Sequence, residues 1–103
     1  MMERKRFAYI LMGTDSSLTT SHTVEIDAKF ADISICMVRD FHVAKEMVIN
    51  LWQEGYGAIE LCGAFGRDFA LELINLTNNE VVIGYVVNEP EQNDIIMKFF
   101  GKL

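Results

Sequence analysis

Glu60, Cys62, Gly63, Gly66 and Arg67 lie within eight residues of one another, and their order could serve two chemistries. Side chains two apart on a strand share a face, so a strand ending at Cys62 would set a carboxylate beside a thiol. Gly63 and Gly66 would make a flexible turn into a helix whose exposed N–H groups and dipole favour an anion, with Arg67 adding a charge-assisted hydrogen bond. The same field favours a thiolate, so Cys62 is also a candidate nucleophile with Glu60 as proton carrier. Each residue has a plainer account as well. Cys62 could be a small apolar side chain closing a buried strand. Glu60, costly if unpaired inside an apolar run, could sit at an edge or subunit interface and pair with Arg39, Lys29 or water.

His22 is the other acid/base candidate. It ends the polar stretch "TDSSLTTSH" at residues 14–22, near Asp15, and such a loop could fold over a crevice as a lid, or carry a surface histidine without a role. His42 falls in the first turn of an expected helix and reads as solvated. Asp15, Asp27, Asp32 and Asp40 lack the alternation of a calcium loop, and no histidine pair has metal spacing, so neither a metal nor a cofactor is expected. The two cysteines, Cys36 and Cys62, share no CxxC or Cys/His spacing and read as free thiols.

The elements that must position these residues follow from periodicity. Residues 6–13, "RFAYILMG", are apolar on both alternating faces, as in a central strand. Val24, Ile26, Ala28 and Phe30 alternate with Glu25, Asp27 and Lys29, and "DISICMV" at 32–38 follows closely, which predicts a hairpin turning near residues 30–32. From Arg39 the spacing becomes helical, with Asp40 as N-cap and Gly55 as the stop. "YGAIELC" is strand-like, residues 68–77 helix-like, and "VVIGYVV" at 81–87 a strand. Pro90 and the carboxylates behind it open a last helix.

The order β-ββ-α-β-α-β-α predicts one α/β domain over residues 1–103. Its small, mainly parallel sheet of four or five strands would be a Rossmann-like or flavodoxin-like half with an N-terminal hairpin. Ligands of such sheets bind beyond the carboxyl ends of the strands. Those ends add Gly13, Asp15 and Asn88 to Gly63, Gly66 and Arg67 as candidate binding residues for a small, anionic molecule.

Composition narrows the partners. A net charge of −6 and a pI near 4.7 oppose non-specific binding to nucleic acid or anionic membranes. No apolar run approaches the roughly 18 residues of a membrane span, and no cleavable leader is apparent, so a cytoplasmic protein is expected. Half the residues are hydrophobic and the mean hydropathy is +0.17, rich for 103 residues. Three helices cannot readily cover both faces of such a sheet. A homo-oligomer is the expected remedy, with Phe99, Phe100 and Leu103 as its candidate contacts, and a structural subunit of a larger assembly is a further reading.

The stretch "ELCGAFG" at 60–66, after "LWQEGYGAI" and before "VVIGYVV", resembles a family of small prokaryotic proteins known only as a domain of unknown function. The likeness runs from "FAYILMG" onward and is most specific at Glu60, Leu61, Cys62, Gly63, Phe65 and Gly66. It implies the same small α/β architecture, and it transfers no activity. Cys62 and Arg67 also resemble the cysteine-loop-arginine signature of protein phosphatases and rhodanese-like sulfurtransferases. The phosphatase form places five residues between the two; here there are four, two of them Ala64 and Phe65.

Overall fold

A computed structural model of the chain describes residues 5–13, 21–29 and 31–101, with backbone alone at 21 and 22. Five strands and three helices follow in order: β1 (Lys5–Met12), β2 (Ser21–Asp27), β3 (Ala31–Val38), α1 (Phe41–Gln53), β4 (Ala58–Leu61), α2 (Gly66–Leu76), β5 (Val82–Tyr85) and α3 (Asn93–Phe100), the last preceded by a 3-10 turn over Pro90–Gln92. The sheet order is β2-β3-β1-β4-β5. β1 runs parallel to β3 and β4, and β4 parallel to β5, while β2 pairs antiparallel with β3. The expected α/β class and the hairpin are both present, in a mixed sheet of five strands.

The apolar β1 earns its central place by offering a hydrophobic residue to either face. Its pairing puts Ala8 beside Ser34 and Ile59, and Ile10 beside Cys36 and Leu61, on one face of the sheet. These six side chains are 2% exposed or less, packed beneath Ala44, Val48 and Leu51 of α1 and Phe69, Ala70 and Leu73 of α2. Both helices therefore cover the same face. Phe7, Tyr9 and Leu11 of β1, Ile33, Ile35 and Met37 of β3, and Glu60 of β4 share the opposite face, and none of them is buried.

The connections explain this one-sidedness. From β3 the chain steps over β1 to β4 and then on to β5, two moves in the same direction, and right-handed crossovers in one direction put their helices on one side. The step from β1 to β3 runs the opposite way, so a helix there would cover the other side. That connection is instead made through β2, a strand.

Local signals set the boundaries. Asp40 caps α1, its Oδ1 accepting the Val43 N–H at 2.8 Å. α1 ends at Gln53, and Gly55 takes a φ of +91° just beyond it, a conformation glycine adopts without a Cβ penalty. The hairpin turns between Asp27 and Ala31, a little earlier than expected, with Ala28 N–H donating to the Ala31 carbonyl at 3.0 Å. β2 begins at Ser21, so His22 belongs to a strand, paired with Met37, and not to a surface loop. Ser, His and Thr read locally as turn formers, but the edge of β3 supplies backbone partners that extend the pairing through them.

Candidate functional site

The reversal of chain direction falls at β1, whose exit leads one way while that of its neighbour β4 leads the other. Open α/β sheets form their ligand crevice at such a switch point, beyond the carboxyl ends of the strands. Here those ends are Met12-Gly13 and Leu61-Cys62-Gly63. Cys62 N–H donates to the Ile10 carbonyl at 3.0 Å, and the Cys62 carbonyl then turns away to accept the Phe65 N–H at 3.1 Å. The thiol takes up the pairing that this turn leaves behind, with Sγ 3.3 Å from the Met12 amide nitrogen that donates to it. Cys62 is half-buried against the core, a position that serves the fold without any reaction.

The turn after Cys62 delivers α2. Gly66 is its first residue, with a φ of +77°, two residues earlier than the periodicity of its apolar face suggests. α2 has no side-chain N-cap, in contrast to α1; the cap position is Phe65, and Asp68 is the acidic residue of the first turn. Phe65 is 5% exposed because it is spent on packing. Its ring stacks on Phe69 at 5.3 Å between centroids, and Phe41 of α1 meets both rings edge-on at 5.6 and 4.8 Å. This aromatic cluster fixes the start of α2 against the start of α1, while Gly63 and Arg67 are exposed.

Asn88 joins this group: a Cβ on Gly63 would stand 3.9 Å from Asn88 Nδ2 and 3.5 Å from the Val86 carbonyl. Gly13 lies across the switch point, its N–H donating to the Val38 carbonyl at 2.8 Å. The structure thus collects Gly13, Cys62, Gly63, Gly66, Arg67 and Asn88 at one end of the sheet. Asp15 and the proposed lid at residues 14–20 lie outside the described residues, as does the His22 side chain.

Glu60 occupies the uncovered face. It pairs across the strands with Gly84, and its carboxylate lies over that residue: a Cβ at position 84 would be 2.6 Å from Oε2 and 2.7 Å from Oε1. The acid fills the space a side chain on β5 would take. Arg39, one expected partner, instead pairs with Asp40 at 3.5 Å. Tyr9 stands opposite Glu60 on β1. Burial first, then the nearby Cys62 and Glu60, raise the Tyr9 phenol above its ordinary value of 10.0. Gly84 and Tyr9 went unnoticed in the sequence. A lone glycine in a valine-rich strand is a recognised mark of close approach, yet its partner cannot be read locally.

A further concavity lies at the other end of the sheet. It is a cleft of about 460 Å³ walled by Arg6, Glu25, Asp27, Asp32, Ser34 and Tyr56 among others. Arg6 stacks over the Tyr56 ring at 4.4 Å, donates to the Glu54 carbonyl, and has its Nε 3.4 Å from Asp32 Oδ2, close enough for ion pairing but out of line for a hydrogen bond. Beneath it, Ser34 Oγ and the Tyr56 hydroxyl share a buried 2.5 Å hydrogen bond. These interactions tie the end of α1 to the sheet. Among the described residues no cluster of His, Cys, Asp and Glu could hold a metal, and no helix is long and apolar enough to cross a membrane.

No curated protein and no solved structure matches the chain. The model of one family, described as a family of unknown function (DUF6506), matches residues 5–101. That span takes in all five strands, all three helices and every described candidate residue, so the chain belongs to the DUF6506 family.

Proposed function

We propose that this protein is a cytoplasmic α/β domain that binds a small anionic metabolite at the switch point between β1 and β4. The observation that carries this reading is the start of α2 at that point, which has no side-chain cap hydrogen bond and lies beside the exposed Gly63 and Arg67. First-turn amides and the helix dipole favour negative charge, and Arg67 would add a bidentate, charge-assisted contact. Gly63 keeps the approach open, and the Asn88 amide beside it offers a donor and an acceptor for orientation. Two unpaired thiols, Cys36 and Cys62, suit a reducing compartment.

Amide chemical shifts of the folded protein should be followed against a panel of phosphate- and carboxylate-bearing metabolites. Shifts confined to residues 63–68 and 88, weakened at least tenfold by Arg67→Ala and abolished by Gly63→Val, are expected. A panel that moves none of these amides would sink the reading.

The convergence of Tyr9, Glu60 and Cys62 favours a second reading, a thiol enzyme with Cys62 as nucleophile and Glu60 as proton carrier, with His22 as the alternative carrier. That chemistry needs an accessible thiol. Alkylation of Cys62 in the native protein, with Cys36 replaced by serine, tests it: a Cys62 that stays inert until unfolding rules catalysis out.

A further inference from the structure

The chain carries two apolar surfaces that the described residues do not cover. One is the sheet face opposite α1 and α2, where Val24 is 62% exposed, Ile26 45%, Met37 38% and Val82 67%. The other is α3, which has no buried residue. Ile95 is 63% exposed, Met97 54%, Phe99 81% and Phe100 56%, the two phenylalanine rings touching only edge to face at 4.8 Å. A helix with so broad an apolar side belongs against an interior. Here it follows an exposed connection through Val87 and Pro90 and finds none.

We propose that the occupant of both surfaces is a second copy of this chain: a two-fold dimer in which α3 of each protomer lies on the open sheet face of the other. The two deficits have matching chemistry and stoichiometry. Each copy lacks one covering element on its sheet and has one apolar helix to spare, so a reciprocal exchange satisfies both at once. The area is also sufficient. The exposed apolar side chains of the face and the helix together offer on the order of 800 Å², comparable to the ~800 Å² each partner contributes to a standard stable interface. Charge is compatible: the open face holds the Glu60 carboxylate over Gly84 of β5, and α3 brings Lys98 in its last turn. Phe99 and Phe100, the contacts expected from the sequence, belong to this surface; Leu103 lies outside the described residues.

Sedimentation velocity over a wide concentration range tests the arrangement on the full chain and on two variants, Phe99→Glu on the helix and Val24→Glu on the sheet. Both positions are exposed in the protomer, so neither change should disturb its fold, which far-UV circular dichroism checks. The expected result is a wild-type particle of twice the 11.7 kDa chain mass, halved by either substitution with the circular dichroism unchanged. A wild-type monomer at every concentration would overturn the proposal, whether α3 then folds onto its own sheet or another protein covers the face. A dimer that survives either substitution would overturn it equally.

Discussion

A Cβ at position 84 would stand within 2.8 Å of three atoms of the Glu60 carboxylate, so one methyl group suffices to evict the acid. The displaced atoms are the far end of a flexible side chain, and alanine in a strand is favoured over glycine by about 0.5–1 kcal/mol. Gly84→Ala should therefore change stability by less than about 1 kcal/mol while moving Glu60. Its effect will be read at Tyr9. Glu60 helps to hold the phenol above 10.0, so both Gly84→Ala and Glu60→Gln should bring Tyr9 down toward that value without reaching it, because burial is the larger cause. A ring-carbon NMR titration of Tyr9 measures this, and an unmoved Tyr9 in Glu60→Gln would refute the coupling. At this scale the sequence made half the site readable. The two-residue period relates Glu60 on β4 to Cys62 just past its end, whereas Gly84 and Tyr9 are their neighbours through pairing across strands, which no local pattern records.

Elements are positioned by caps and turns, and these were legible where a side chain does the work. Asp40 stands at the start of α1 as its type and place suggest, and its carboxylate satisfies the Val43 amide. Asp40→Ala should cost about 1 kcal/mol, and Asp40→Asn only a few tenths, by urea denaturation. Equal losses in both would place the effect in the ion pair with Arg39 instead of the cap. The start of α2 was less legible because no side chain announces it: Phe65 occupies the cap position for the sake of its ring contacts with Phe41 and Phe69. Packing determines that boundary, and it leaves the start of α2 without a side-chain cap.

Over the whole molecule, the shortage of covering helices was visible from the count of elements, but not which face would lack them. That follows from β2 replacing a helix in the crossover from β1 to β3, a choice made by pairing with β3. Beneath the covered face, Cys36 is fully buried, and burial, partly offset by a hydrogen bond from Thr23, raises its thiol above 9.0. The unfolded chain releases this proton first as pH rises, while the folded protein keeps it. Stability is thus fully present below about pH 9 and is lost above it, by up to ~1.4 kcal/mol per pH unit for this one group. Denaturation curves from pH 7 to about 10 should show this fall in the wild type and a shallower one in Cys36→Val, the difference being the thiol. Parallel slopes would exclude it.

The central strand is also synthesised ahead of every strand it pairs with. Phe7 pairs with Ile33 and with Ala58, so β1 leaves the ribosome roughly fifty residues ahead of its second partner, several seconds at ~5–20 residues per second. Until the hairpin of β2 and β3 is made, "FAYILM" is a naked apolar segment with nothing to pair with, and that hairpin is the earliest structure able to receive it. The nascent chain therefore exposes an apolar strand before the domain can fold, and truncated chains ending before β4 should aggregate where the full chain does not.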